Sequence, residues 1–159
     1  MLERLLGRLS EEADEQRTKE PMATEPEADA NLEGEGAFIR LLGLSFEEMG
    51  PGRVVASFET GADHHQPWGL VHSGVFTAAI ETAATTGAYL AVKDQDQLAV
   101  GINIVTDFMR PHQQGPLRVV AEPLQQTKTQ QLWQAVITRE DGKTIARGQV
   151  RLQNVAADA

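Results

Sequence analysis

A single carboxylate interrupts the longest apolar stretch of the chain. Glu81 is the only charged residue between His72 and Lys93 in a segment, Val71–Val92, that is rich in Ala, Ile, Val and Thr. A carboxylate inside an apolar helix is costly unless it is hydrogen-bonded, paired or hydrated, and one held there suits general-base chemistry. The structural alternative is that Glu81 faces solvent or pairs with a strand residue. In a helix, Thr85 shares the face of Glu81 at i+4, where its hydroxyl could hold an attacking water.

A turn containing Pro and Gly precedes this segment. Positions 66–74 read Gln-Pro-Trp-Gly-Leu-Val-His-Ser-Gly. A helix that begins here presents unpaired N–H groups and a positive dipole end, which suit a carbonyl oxygen that becomes an oxyanion. If the helix begins near Ser73, Glu81 lies about 12 Å further along the axis. That separation is long for the start of the helix and the carboxylate of one chain to meet, and it favours a site completed by a second subunit.

The four histidines do not form a metal-binding pattern. His64, His65, His72 and His112 show neither His-x-x-x-His nor Glu-x-x-His spacing, and the chain has no cysteine. We therefore expect neither a metal nor another cofactor. A histidine in the position of His72 is more often a capping or packing residue than a catalyst. The sequence also lacks the serine-hydrolase elbow, the Walker phosphate loop and the dinucleotide fingerprint.

The order of helix and strand patterns around these residues predicts an α+β domain with one long helix and an antiparallel sheet. The order is β-β-α-β-β-β-β, with a short helix at Ala37–Leu42 before the first strand and a long helix within Val71–Val92. Strands that are long for a small domain are typical of an antiparallel sheet that curls around one helix. The expected strands are Leu44–Met49, Arg53–Glu59, Leu98–Met109, Pro116–Gln125, Gln130–Thr138 and Thr144–Leu152.

Charge is divided unevenly along the 159 residues, whose net formal charge is −9. Residues 1–35 carry four basic and eleven acidic side chains, whereas residues 36–159 carry ten and twelve. We expect residues 1–35 to be an acidic, largely disordered leader and residues 36–159 to be the folded domain. A leucine stripe could form a short amphipathic helix within residues 1–17. The acidity argues against a nucleic-acid partner, and the patterns indicate neither a signal peptide nor a membrane span, so we expect a cytoplasmic protein.

Taken together, these motifs resemble the hotdog-fold acyl-CoA thioesterases of the PaaI and 4-hydroxybenzoyl-CoA thioesterase type. The resemblance spans roughly residues 37–153. It rests on Gln66-Pro-x-Gly-x-x-His72-Ser-Gly, on Glu81 nine residues after the histidine, and on Phe108-Met-Arg110-Pro111. It implies a sheet that wraps a central helix. It also implies a homodimer or homotetramer built by pairing sheets edge to edge, with the active site between subunits.

The resemblance further implies hydrolysis of an acyl-CoA, aryl or medium-chain, to a free acid and CoA. Glu81 would act as general base or nucleophile, and the backbone N–H of Ser73 would bind the thioester oxygen. His72 and Gln66 would help to orient the substrate, and Thr85 is the hydroxyl one turn beyond the acid. Ser73 stands where the family usually has glycine, but the backbone N–H survives that change. The residues implied in substrate binding are Gly74, Arg110, Lys128 and Thr129.

Several functional alternatives stay open at this point. The same fold supports acyl-thioester hydratases and dehydratases, and a hotdog protein can bind acyl-CoA without turnover. A DNA-binding acyl-CoA sensor is disfavoured, because the N-terminal segment is too acidic for a recognition module. The identity of the acyl group is also open. Five residues could line an apolar acyl pocket, although a Phe or Ile at helical spacing is more often an ordinary core residue: Trp68, Phe76, Ile80, Tyr89 and Met109.

Overall fold

A computed structural model describes residues 37–157, and the expected order of helices and strands is confirmed there. The elements are α1 (Ala37–Leu42), β1 (Ser45–Gly50), β2 (Arg53–Thr60), α2 (Ser73–Leu90), β3 (Gln97–Phe108), β4 (Gly115–Gln126), β5 (Gln130–Arg139) and β6 (Thr144–Ala156). The last strand runs four residues beyond its expected end. The predictions for the acidic leader at residues 1–35 and its amphipathic helix lie outside the described residues.

The six strands form one antiparallel sheet in the order β1-β2-β4-β5-β6-β3. β3 therefore lies at an edge and pairs only with β6 among the described strands. Its register shifts at a bulge between Gly101 and Asn103. Bulges of this kind increase the local twist, and a second one in β4, between Pro123 and Gln125, helps the sheet to curve.

Helix α2 packs against the inner face of the curved sheet. Its buried side is made mostly of small residues, which let the helix approach the strands closely. These buried residues are Phe76, Ala79, Ile80, Ala83, Ala84, Thr86, Gly87 and Ala88. The expected apolar central helix is thus confirmed. Within residues 37–157, no helix is long and apolar enough to cross a bilayer.

A buried polar network ties the C-terminal end of α2 to the sheet. Gln131 donates hydrogen bonds to the carbonyl of Ala88 at 2.9 Å and to Asn154 Oδ1 at 3.0 Å. It also accepts one from Trp133 Nε1 at 3.0 Å. Asn154 in turn donates to the carbonyls of the β4–β5 turn at positions 127–128. Because each polar group has a partner, the network holds this turn and the ring of Trp133 in place.

Candidate active site

Helix α2 begins at Ser73 and is capped by His72. The Nδ1 atom of His72 accepts the N–H of Gly74 at 2.9 Å, and its carbonyl accepts the N–H of Val75 at 2.9 Å. A Cβ atom at Gly74 would lie 2.9 Å from that Nδ1, so glycine leaves room for the cap. The N–H of Ser73 has no acceptor within residues 37–157 and remains for a ligand. His72 therefore acts as a capping residue, and Ser73 supplies the free amide.

The loop before the helix folds into a tight turn that carries Gln66. The N–H of Gln66 donates to the carbonyl of Leu70 at 2.8 Å, and the N–H of Gly69 donates to the carbonyl of Gln66 at 3.0 Å. Gly69 has φ of 76°, a conformation that favours glycine. Trp68 at the tip of this turn is 80% exposed, so within one chain it belongs neither to the core nor to an acyl pocket.

A cleft of ≈ 200 Å³ lies between this turn and the chain that follows β3. Its polar lining includes three predicted site residues, Gln66, Ser73 and Arg110. Its apolar lining includes Phe76 and Met109 from the expected acyl-pocket set. The other three candidates lie elsewhere, since Trp68 is exposed, Ile80 is fully buried in the core and Tyr89 lies near the C-terminal end of α2.

Arg110 is anchored beside this cleft. Its Nη1 donates to the carbonyl of Thr144 at 2.7 Å, and its backbone N–H donates to the carbonyl of Ile145 at 3.2 Å. The side chain is exposed. A guanidinium has five N–H donors, so the remaining donors of Arg110 can still meet an anionic group of a substrate.

Glu81 and Thr85 form a hydrogen-bonded pair halfway along α2. The hydroxyl of Thr85 donates to Glu81 Oε1 at 2.9 Å, and both side chains are half-buried. A Cβ atom placed on Gly101 would lie 3.6 Å from the same oxygen, so the carboxylate lies against the backbone of β3. Glu81 does not line the cleft, because it follows Ser73 by eight residues, about 12 Å along the helix. One chain alone does not bring the carboxylate and the free amide together.

Lys128 and Thr129 lie far from the cleft. They are exposed in the β4–β5 turn, where Asn154 donates from its backbone N–H to the carbonyl of Thr129 at 2.8 Å. This turn lies near the C-terminal end of α2, to which Gln131 is bonded, whereas the cleft lies at the N-terminal end. The 18-residue helix between them is about 27 Å long.

His112 lines the cleft, but sequence reasoning does not select it. That reasoning considers it only as one of four histidines whose spacing does not fit a metal site. It is 5% exposed and lines the cleft, and its Nε2 lies 3.0 Å from Thr60 Oγ1. Burial lowers the pKa of His112 below its usual 6.5, and Arg139 lowers it further, against the effects of the Gly115 carbonyl and of Glu59. Its position directly after Arg110-Pro111 was the available sequence signal. Residues 37–157 contain no cluster of side chains suited to hold a metal ion.

Comparison with known proteins identifies the family. The profile of the thioesterase superfamily matches residues 69–146. A Mycobacterium tuberculosis protein named as an esterase is 38% identical over 138 residues, which cover 86% of this chain and 99% of the relative. The chain belongs to the thioesterase superfamily. The solved structure of that mycobacterial protein superposes with a TM-score of 0.73 at 40% identity, covering 76% of this chain and 97% of the other. The expected hotdog fold is therefore confirmed.

Two further relatives carry more specific names. The proofreading thioesterase EntH of Cronobacter turicensis is 32% identical over 71% of this chain and 82% of its own length. The 1,4-dihydroxy-2-naphthoyl-CoA hydrolase of Escherichia coli is 30% identical with the same coverage. Together with the family match, these relatives confirm that this thioesterase-superfamily protein is an enzyme of the hydrolase class.

Proposed function

We propose that this thioesterase hydrolyses an acyl-CoA to a free acid and CoA, with Glu81 as general base or nucleophile. One observation carries the proposal: a half-buried carboxylate, oriented by Thr85 at 2.9 Å, shares a helix with the free N–H of Ser73. A base and an oxyanion donor are the two groups that thioester hydrolysis requires. The relative that is named a hydrolase of a naphthoyl-CoA supports CoA as the thiol portion.

In the general-base form, Glu81 activates a water molecule that attacks the thioester. The carboxylate of Glu81 takes a proton from a water molecule, whose oxygen attacks the thioester carbon. The carbonyl electrons move to oxygen, and the resulting oxyanion is bound by the N–H of Ser73 at the positive end of α2. When the oxyanion collapses, the carbon–sulfur bond breaks and the sulfur of CoA takes the proton back from Glu81. In the nucleophilic form, Glu81 attacks the thioester carbon, the carbon–sulfur bond breaks, and CoA leaves as its thiolate. Water then hydrolyses the acyl-carboxylate anhydride to the free acid and the Glu81 carboxylate, and the proton released in this step converts the thiolate to the thiol.

A site that uses both groups needs two chains. Ser73 and Glu81 are about 12 Å apart along one rigid helix, but both must lie within about 3 Å of the reacting thioester or its water. We therefore place the thioester between the Ser73 amide of one subunit and the Glu81 carboxylate of another. Lys128 and Thr129 lie at the opposite end of α2 from the cleft of their own chain. We therefore propose that they contact a CoA molecule bound at the cleft of the other subunit.

The exposed edge of β3 supports such an assembly. This strand is twelve residues long, and it carries large apolar side chains that are 41–60% exposed: Leu98, Val100, Ile102, Val105 and Phe108. Among the described strands the outer edge of β3 is unpaired, and an edge of this length and composition is a template for pairing with another strand. Antiparallel pairing of two β3 strands would continue the sheet across a dimer. The carboxylate of Glu81, which lies against Gly101 of β3, would then lie beside the interface between the two subunits.

The cleft supports an apolar acyl group, aryl or medium-chain, with the CoA phosphates outside. Phe76, Phe108 and Met109 supply the apolar surface, and the rings of Phe76 and Phe108 have centroids 6.4 Å apart. Arg110 at the rim offers charged donors to the phosphates of CoA. Gln66 projects from the turn into the same cleft, where its amide can orient the thioester.

Free-thiol release across a panel of acyl-CoA substrates tests the proposal. The panel contains benzoyl-CoA, 4-hydroxybenzoyl-CoA, 1,4-dihydroxy-2-naphthoyl-CoA, octanoyl-CoA and an enoyl-CoA. Glu81→Gln keeps an acceptor for the Thr85 hydroxyl but removes the base, so we expect kcat to fall about 10²-fold or more with the fold intact. Glu47→Gln is the matched control, because Glu47 makes an exposed ion pair with Arg118.

Three results would overturn the proposed function. Turnover of Glu81→Gln near that of the wild type would remove Glu81 from the chemistry. Consumption of the enoyl-CoA without thiol release would indicate a hydratase. Acyl-CoA binding without thiol release from any member of the panel would indicate a binding protein.

A further inference from the structure

We propose that His112 is a positioning residue that holds the oxyanion-binding start of α2 at a fixed position relative to the opposite wall of the cleft. The expected effect on kcat rests on the proposed function, whereas the expected effect on the order of the turn before α2 does not. His112 follows Pro111 in the segment between β3 and β4, two residues after Arg110.

The side chain of His112 is joined by a hydrogen bond to Thr60 at the end of β2, and Thr60 is joined by a second bond to Gly115 at the start of β4. The hydroxyl of Thr60 donates to the carbonyl of Gly115 at 2.9 Å, and His112 Nε2 lies 3.0 Å from the same hydroxyl oxygen. The imidazole of His112 and the hydroxyl of Thr60 share one hydrogen bond, whose donor is set by the tautomer of the ring. With Thr60 2% exposed and His112 5% exposed, this bond is shielded from water.

The main chain of the same segment holds the turn that leads into α2. The carbonyl of His112 accepts the N–H of Val71 at 2.9 Å, two residues before the free amide of Ser73. The carbonyl of Gln113 lies 2.6 Å from His65 Nε2. His65 and Val71 are themselves bridged as an antiparallel pair. Segment 112–113 thus contacts the turn at both of its ends.

These contacts relate the two walls of the cleft to each other. The Ser73 amide lies on one wall, and Arg110 lies on the wall that His112 anchors. An oxyanion donor acts at a separation of about 2.7–3.1 Å, and a displacement near 1 Å can cost about 10²-fold in rate. Loss of the His112 side-chain anchor would release both walls, while Ser73, Glu81 and Arg110 would remain chemically unchanged.

Substitutions at both ends of the side-chain bond test the inference. His112→Leu removes the ring nitrogen from the bond, whereas His112→Gln retains an amide that can donate or accept. Thr60→Val removes the hydroxyl, and Thr60→Ser retains it. We expect kcat to fall about 10-fold or more in His112→Leu and Thr60→Val, with a smaller change in KM, and to recover in the two conservative variants. The double variant His112→Leu/Thr60→Val should be no slower than Thr60→Val alone, because Thr60→Val already removes the bond to His112 together with the bond to Gly115.

A core variant separates positioning from stability. Ile137→Ala deletes a fully buried side chain on β5 that does not line the cleft. It should lower the melting temperature without changing kcat at temperatures where the enzyme is folded. If His112→Leu behaves like Ile137→Ala, losing stability but keeping wild-type kcat, the inference is wrong.

Amide hydrogen exchange gives a readout that does not require activity. Peptides covering residues 64–75 should exchange faster in His112→Leu and Thr60→Val than in the wild type, but not in His112→Gln or Ile137→Ala. Unchanged exchange in all variants would refute the mechanical claim. If the wild type releases no thiol from any acyl-CoA, the proposed function fails and exchange alone decides the inference. If wild type and Glu81→Gln differ as expected while His112→Leu matches the wild type in both readouts, only the inference fails.

Discussion

The close approach between α2 and the sheet at Gly87 predicts a large response to one methyl group. In Gly87→Ala, the new Cβ would lie 2.4 Å from Trp133 Cη2, 2.6 Å from Trp133 Cζ3 and 3.0 Å from Val54 Cγ2. The indole cannot swing aside freely, because its Nε1 donates to Gln131, which is bonded to the carbonyl of Ala88. The ring, or the helix that carries Glu81, has to move.

Two opposing effects set the size of this response. Alanine improves helix propensity by about 1 kcal/mol relative to glycine. Overpacking costs about 1–3 kcal/mol, and two contacts below 3.0 Å against a fixed ring place Gly87→Ala at the upper end. We therefore expect the free energy of unfolding to fall by about 2 kcal/mol. At about 2.1 cal/mol/K per residue of unfolding entropy, a domain of this size should lose roughly 8 °C in melting temperature.

Urea denaturation with tryptophan fluorescence measures this loss. Gly52→Ala is the matched control, because a Cβ added at Gly52 would have no atom within 4 Å and Gly52 does not have a positive φ. We expect its effect to stay within about 0.5 kcal/mol. In a Trp133→Phe background, where the outer ring atoms are absent, Gly87→Ala should cost less. A Gly87→Ala protein as stable as the wild type would refute the close packing of α2 on β5.

Three further outcomes follow from the site and its surroundings. Burial lowers the pKa of His112, so as the pH falls this imidazole is protonated at a higher pH in the unfolded chain than in the folded protein. The free energy of unfolding should therefore decrease below pH 6.5, by up to about 1.4 kcal/mol per pH unit. Calorimetry at several pH values should show this slope in the wild type and a weaker one in His112→Gln. Val105→Glu, which places a charge on the β3 edge, should yield monomers by light scattering together with loss of thiol release; a fully active monomer would exclude a two-chain site. Thr85→Val removes the hydroxyl bonded to the proposed base and should lower kcat about 10-fold in the thiol assay, and an unchanged kcat would show that this bond does not orient the carboxylate.

Local sequence patterns predicted most of the architecture. The alternation of apolar residues located the strands, and the apolar run with one carboxylate located α2, because burial on a two-residue or a 3.6-residue period leaves a direct imprint on the sequence. The same reasoning placed the start of the helix near Ser73 and put Thr85 on the face of Glu81. The positions of single apolar residues were less predictable. Phe76 and Met109 line the cleft, whereas Ile80 is core and Trp68 is exposed, because local periodicity does not record where the tertiary fold leaves a cleft or an open surface.

By itself, the sequence determined the chemistry available to this thioesterase: a carboxylate in an apolar helix, a hydroxyl at i+4, and a helix start with an uncommitted amide. These are properties of neighbours in the chain, for which distances follow from helix geometry. Only the tertiary structure decided that His112 and Thr60, 52 residues apart, share a hydrogen bond behind the cleft, and that Gly87 meets the ring of Trp133. Such contacts arise where the curved sheet brings distant segments together, and no local pattern records which residues will meet there.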